Sequence, residues 1–405
     1  MKTKPKVIFN EVDEMYRELG KRQLLLWDDH GNKHLVATFP NPNYFIDLAR
    51  IEQFVSGIAG GRVPTFKEYW DKQELLKSKK DPSKSECLEL DILKMQLKHH
   101  FSLLHVDRSL SSVHYVYSVY VQVFMEVYQQ TIPRYQEFSN PFGRLNMALL
   151  NDAHIIENGR ISSRHSWGLY DEFVAQLKRA ATSSATQKAS RKRQENASSN
   201  YKSAVSYVKE CFDLCPTLFV LRVDLGYVHQ PLSHKNRTII NHEEARNRIK
   251  KDFAALVKKF TAGNTFEEIV GYLAKLEYGP DQGYAIHLAL LCDGRKKRKE
   301  DDWVNLIGDY WIYQITAGQG RCHNCNAEKD PRFPEKGIGT IRKSSEKKRQ
   351  AMERWVIGYI AKSSQYLDAK VPPRERTFFK GNNARTIGAA RKDKTESENT
   401  CNSLQ

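Results

Sequence analysis

A tyrosine and a lysine three residues apart, Tyr359 and Lys362, lie in the run Arg354-Trp355-Val356-Ile357-Gly358-Tyr359-Ile360-Ala361-Lys362. On a helix they are neighbours on one face. A phenol beside an ammonium suits nucleophilic attack on phosphate, because the cation favours the phenolate and meets the charge of a phosphodiester. The same spacing also suits a tyrosine packed in a core and a lysine whose stem snorkels to water. Upstream, two apolar runs offer partners. Residues 217–225 read as a strand with Val220, Arg222 and Asp224 on one side and Phe219, Leu221, Val223 and Leu225 on the other. Residues 283–292 read as a second, buried strand carrying His287, with Ala285 two positions earlier on the same side. Carboxylate, imidazole and phenol together are what a metal-assisted attack on a phosphodiester requires. The metal polarises the phosphate as a Lewis acid, and the tyrosyl oxygen displaces the sugar oxygen in line. A phenol ordinarily titrates near pH 10. Lys362 or the metal would have to favour its ionised form.

The elements that must position these groups fall in the second half of the chain. Residues 241–260 read as a helix with a charged face, 303–315 as another, and 337–341 as a third apolar piece before the Tyr359 helix. The first half reads differently. Residues 23–27 and 34–38 flank Asp28-Asp29-His30-Gly31-Asn32 and predict a small hairpin. Residues 42–80 look helical. Residues 88–130 form the strongest helical stretch, with His114, Ser118, Gln122 and Glu126 recurring every four residues as a thin polar stripe. Between the halves, residues 180–202 hold almost no large apolar side chain and contain Arg191-Lys192-Arg193. Such a segment is either a linker or an exposed basic helix. The expected organisation is a mainly helical domain over 1–178, a basic polar linker over 179–203, an α/β domain over 204–371 and a basic, largely unfolded tail over 372–405.

The whole chain of 405 residues carries a formal charge of +16, which points to a polyanionic partner such as nucleic acid. Seven irregularly spaced cysteines do not make a secreted disulfide framework. No apolar run spans a bilayer and no signal peptide is evident at the start. These features predict a soluble cytoplasmic protein with no membrane partner. Gly318-Gln319-Gly320 lacks the strand-to-helix context and the Lys-Ser/Thr of a P-loop, so no ATPase is expected.

Several blocks follow one another along the second half: residues 221–225, 283–284 through 293–294, 307–311, 316–320, Cys325-Asn326-Ala327, Gly337-Ile338-Gly339, and 359–362 with Gln365-Tyr366. They resemble the YagK/YfjJ family of prophage proteins, which is similar to the replication initiators of inoviruses. The resemblance covers about residues 210–370. It implies an α+β protein: a helical N-terminal domain followed by an HUH/RRM-like α/β domain with a central antiparallel sheet. It also implies a bacterial rolling-circle replication initiator. Such an endonuclease nicks single-stranded or hairpin origin DNA and keeps a 5′-phosphotyrosine link, and it leaves room for a host helicase as partner. Tyr359 and Lys362 match its Tyr-x-x-Lys motif, and His287 matches the second histidine of its metal-binding pair. Ala285 stands where the first histidine is expected, and a methyl group ligates nothing. Asp224 could serve in its place if the two strands lie adjacent, holding Mg²⁺ or Mn²⁺ weakly with His287. The alternative implied by Ala285 is a DNA-binding prophage protein that has lost cleavage.

Phosphate contacts are expected from Arg222, from Arg295, Lys296, Lys297, Arg298 and Lys299 just past the His287 strand, and from Lys347, Lys348 and Arg349 before Tyr359. Bases could stack on Tyr227, Tyr284 or Trp311. Tyr366 is a candidate second nucleophile. Cys322 and Cys325 have half a zinc-ribbon spacing, with Cys211 and Cys215 as a looser second half. The other reading is buried thiols near the sheet.

Overall fold

The computed structural model describes residues 24–27, 33–36, 44–102, 115–131, 163–228, 242–261, 264–279, 283–295, 300–326, 337–362, 367–369 and 375–382. The chain divides into two compact units, residues 39–192 and residues 193–405 with 1–38. Strands β1 (Leu24–Trp27) and β2 (Lys33–Val36) pair antiparallel as a hairpin.

In residues 39–192 the described elements are α1 (Tyr44–Ala59), α2 (Phe66–Ser78), α3 (Lys84–Ser102), strand β3 (Tyr115–Tyr117), α4 (Val119–Thr131) and α5 (Ser163–Ala181). Aromatic edges hold α1, α4 and α5 together, with Phe124 against Phe54 and Phe173 at 6.4 and 5.5 Å between ring centroids. Asp171 on α5 accepts from the Phe66 and Lys67 amides at 2.8 and 2.9 Å, which satisfies donors that the start of α2 leaves open. The expected single stretch over 88–130 is therefore two helices. Ser118 ends the extended residues 115–117 and starts α4, where its hydroxyl accepts from the Val121 amide at 3.3 Å. His114 lies outside the described residues.

The polar segment between the halves takes the helical form. Helix α6 (Ser184–Leu214) runs through most of it, and the boundary between the units falls inside this helix at Arg193. Its N-terminal part is polar all round. From Ala197 onward Tyr201, Ala204, Tyr207, Val208, Cys211 and Phe212 are buried at helical spacing.

That buried face lies against a six-stranded antiparallel sheet, ordered β10-β5-β6-β4-β7, with β8 also on β4. The strands are β4 (Thr217–Tyr227), β5 (Ile269–Gly279), β6 (Gly283–Asp293), β7 (Gly320–Asn324), β8 (Gly339–Arg342) and β10 (Phe378–Lys380); β9 (Leu367–Ala369) is separate from it. Long strands β4, β5 and β6 sit in the middle because both of their faces are apolar enough to bury. Leu218, Val220, Leu273, Ala289 and Leu291 face α6 and the Tyr359 helix. On the other face, Phe253 and Phe260 of α7 (His242–Thr261) meet Tyr272 at 6.1 Å. Helix α8 (Glu300–Asp309), extended by a wide turn over Tyr310–Ile315, buries Trp303, Ile307 and Trp311. The chain thus has the expected α+β character. Residues 378–380, read from composition as part of an unfolded tail, form an edge strand instead, pairing Phe378 with Lys275. Two phenylalanines followed by a lysine let this short segment cover a sheet edge.

Strands β7 and β8 share one edge of β4. The first pairs with residues Val223–Tyr227 and the second with Thr217–Val220. Asn326 fills the gap between them. Its Oδ1 accepts from the Arg222 amide at 2.9 Å and its Nδ2 donates to the Val220 carbonyl at 3.2 Å. A side chain here does what a third strand residue would do.

The last helix among the described residues, α9 (Glu346–Ala351), continues through a wide turn, Met352–Ile357, into a final turn, Gly358–Ala361. In that wide turn the Gly358 amide bonds back to the Glu353 carbonyl, five residues away. Such bulges re-aim the side chains that follow and cluster at functional sites. Gly337 precedes this helix with φ of 70°, and a Cβ there would stand 2.3 Å from Met352 Cα. Glycine allows both the backbone conformation and the close approach.

Candidate active site

The β4–β6 ladder pairs Asp224 directly with His287, and the β5–β6 ladder pairs Lys275 with His287 and Glu277 with Ala285. Directly opposed residues share a face. The strand β7 adds His323 opposite Asp224. One face of the sheet centre therefore carries Arg222, Asp224, Lys275, Glu277, His287 and His323, while the residues between them are apolar.

His287 lies between two carboxylates. Its Nδ1 is 2.7 Å from Asp224 Oδ1 and its Nε2 is 3.0 Å from Glu277 Oε2. Burial pulls the imidazole toward neutrality, but the two carboxylates outweigh it and lift its pKa to about 9. The ring is an imidazolium donating from both nitrogens. Burial acts to raise the pKa of each carboxyl, and the His287 charge overcomes it. Asp224 is held well below the usual carboxylate range and Glu277 at about 2.

Tyr359 stands over this group from the last turn of its helix. Its hydroxyl is 3.5 Å from His287 Nδ1 and 3.4 Å from Nε2, and the two rings are perpendicular at 90°. Near-equal distances mean that the hydroxyl faces the ring as a whole rather than either N–H. The Arg222 guanidinium carbon lies 4.0 Å from the Tyr359 ring centroid and Lys362 Nζ lies 4.4 Å from it. Lys362 sits just past the helix, as its cap, with φ −55° and ψ 146°. Burial, followed by the Glu277 charge, keeps Tyr359 well above the ordinary phenol pKa, with Arg222 opposing. At rest it is a neutral phenol, only 7% exposed. The side chains of Asp224, Glu277 and His287 are 25%, 20% and 11% exposed, so solvent reaches the group from the carboxylate side.

The structure thus brings together Tyr359, Lys362, His287, Asp224 and Arg222. It adds Glu277, which sequence reasoning did not single out. The signal was present: Lys275 and Glu277 are two apart within an otherwise apolar strand, on the face that meets His287. Asn326, which braces the backbone of Arg222, was visible only as part of the Cys325-Asn326-Ala327 block.

Other predicted positions lie elsewhere. Arg295 follows the far end of β6 and is paired with Asp293 at 2.6 Å, about 20 Å along the strand from His287. Lys347, Lys348 and Arg349 occupy the start of the helix whose end carries Tyr359, roughly 15–20 Å away by helical rise. Arg342 stands opposite Thr217, beside the strand end that pairs with Asp293, so these basic residues gather at one end of the sheet. Lys296, Lys297, Arg298, Lys299 and Tyr366 are outside the described residues. Of the aromatics expected to stack on bases, Trp311 and Tyr284 belong to the core and Tyr227 is half-buried. Trp311 is fully buried and donates to the Gly226 carbonyl at 2.8 Å, Tyr284 is buried, and the Tyr227 hydroxyl donates to Asp252 at 2.6 Å. Cys215 sits before β4 and Cys322 lies opposite Leu225, about 25–30 Å apart along that strand, so the two cysteine pairs do not converge on one zinc.

A divalent ion held by His287 needs a ring nitrogen with a free lone pair. Both nitrogens instead lie against carboxylates on opposite sides of the ring, at 2.7 and 3.0 Å, and Ala285 supplies no ligand. Arranged in this way, His287, Asp224 and Glu277 do not fit a metal shell, and among the described residues no other group of three His, Cys, Asp or Glu does. Among the described residues, no helix is long and apolar enough to cross a membrane. In comparisons with known proteins, no family model, curated protein or solved structure matches the chain.

Proposed function

We propose that the protein is a DNA strand-transfer nickase of the HUH/RRM-like kind, acting at a replication origin with Tyr359 as nucleophile. The observation that carries this reading is the Tyr359 hydroxyl set within 3.5 Å of an imidazole flanked by two carboxylates, beneath two cations. A buried aromatic hydroxyl kept for packing alone would have no need of so many ionisable neighbours, each costly to bury. A nucleophile for a phosphodiester needs such surroundings: cations that meet the phosphate charge and favour the phenolate. The basic residues at the end of the sheet would track the DNA backbone, giving affinity rather than sequence choice. A helical N-terminal domain, a bacterial cytoplasmic setting and a host helicase belong to the same reading.

A second reading, origin binding without cleavage, is favoured by the 7% exposure of Tyr359 and by Ala285. One experiment separates the two. Labelled single-stranded and hairpin oligonucleotides of randomised sequence are incubated with the protein and separated under denaturing conditions. A covalent protein–DNA band that disappears in Tyr359→Phe supports the nickase. Tight binding with no such band under any cation condition leaves only the binder.

A further inference from the structure

We propose that strand transfer at Tyr359 runs without a metal ion, with Arg222 and Lys362 carrying the charge of the scissile phosphate. This rests on the reading of Tyr359 as nucleophile. Three observations support it. The imidazole that would anchor an ion has both nitrogens turned to carboxylates, at 2.7 and 3.0 Å. The position two residues before it is Ala285, whose methyl group is opposite Glu277 in the ladder. And the charged side chains set directly against the Tyr359 ring are both cations, Arg222 at 4.0 Å and Lys362 at 4.4 Å from its centroid. A pocket built for a divalent cation gathers net negative charge; this one gathers positive charge, which suits a phosphodiester anion.

Arg222 is placed for the work. It is 6% exposed, and its guanidinium stacks on the Tyr359 ring at 4.0 Å. Its backbone is fixed on both sides, the amide by Asn326 and the carbonyl by the Cys325 amide at 3.2 Å. A preorganised guanidinium presents several N–H donors in a fixed fork that matches phosphate oxygens. Lys362, at the helix end, adds a second charge. In the step itself the Tyr359 oxygen bonds to phosphorus as the bond from phosphorus to the 3′ oxygen breaks. The phenol gives up its proton to solvent on the exposed carboxylate side as the new bond forms, and the released 3′ oxygen takes one up, so the proton count is unchanged. One phosphodiester replaces another, and no oxidant, reductant or co-reactant is consumed.

The test is formation of the covalent Tyr359–DNA band in EDTA against Mn²⁺ or Mg²⁺. The expected result is a band in EDTA at a rate within a few-fold of that with Mn²⁺. Arg222→Gln should slow it about 100-fold, while Arg222→Lys recovers part of the rate. The rate is read as a single turnover at saturating oligonucleotide, and the partial recovery in Arg222→Lys together with unchanged melting of both variants separates a lost charge from a structural defect. If Arg222→Gln does not fold, Lys362→Gln supplies the same arm from a half-buried helix end. A band that needs Mn²⁺ and vanishes in EDTA overturns the metal-free step and leaves Tyr359 as nucleophile. An unchanged rate in Arg222→Gln overturns the role of Arg222. No band in either condition removes the nucleophile reading, and this inference with it.

Discussion

Asp224 and His287 face each other across the β4–β6 ladder, 2.7 Å apart, and Glu277 closes the other side of the same ring. Strand pairing alone makes this contact, since directly opposed residues on one face of a sheet must meet. Its first consequence is a dependence of stability on pH.

The His287 pKa rises from an ordinary 6.5 to about 9 on folding. A group that binds its proton more tightly when folded contributes fully below pH 6.5 and loses that contribution as pH rises through about 9. Glu277 acts in the opposite sense. Its pKa falls from 4.5 to about 2, so its contribution is present above 4.5 and disappears as pH falls toward 2. Calorimetric melting should therefore show a loss on the order of 2 kcal/mol between pH 6.5 and 9. His287→Gln should flatten that slope. A wild-type protein equally stable at both values would contradict the imidazolium assignment.

Asn326→Ala should destabilise by about 1–3 kcal/mol, because it strips partners from the buried Arg222 amide and Val220 carbonyl. Urea denaturation gives the value. Asn326→Asp keeps the acceptor for the Arg222 amide but loses the donor to Val220, and should fall between wild type and alanine. Equal stability of all three would mean that the gap between β7 and β8 does not depend on this side chain.

Gly337→Ala should cost at least about 2 kcal/mol, combining positive-φ strain with overlap against the Met352 backbone. Gly318 has φ of 83° but open space around its missing Cβ, so Gly318→Ala should cost less, about 1 kcal/mol. Thermal melts of the two variants side by side check the order. The reverse order would refute the close approach of the turn to the helix.

Charge reversal of Arg342, Lys347 and Lys348 should weaken single-stranded DNA binding. It should also lower the slope of log affinity against log salt by about 0.7 for each phosphate no longer neutralised. The covalent step at saturating oligonucleotide should be unchanged, because these residues lie some 15–20 Å from Tyr359. Fluorescence anisotropy across a salt series measures the first, and the single-turnover rate measures the second. A slowed covalent step with normal affinity would place the basic end of the sheet inside the reaction.

The sequence by itself determined which faces exist. Period-two alternation over 217–225 separated Asp224 and Arg222 from the leucines and valines between them, and the apolar run over 283–292 marked a strand buried on both sides. Tyr359 beside Lys362 was legible from spacing, and a helical segment between the halves was one of two forms that its composition allowed. Pattern says which side a residue faces but not which residue faces it. Only the tertiary structure decided that Glu277 lies against the far nitrogen of His287, because that approach depends on the β5–β6 register. The wide turn over Met352–Ile357, which sets the direction of Tyr359, leaves no mark in the residue types. The place of Asn326 likewise follows from two strands sharing one edge of β4, a long-range arrangement that no local run of residues encodes.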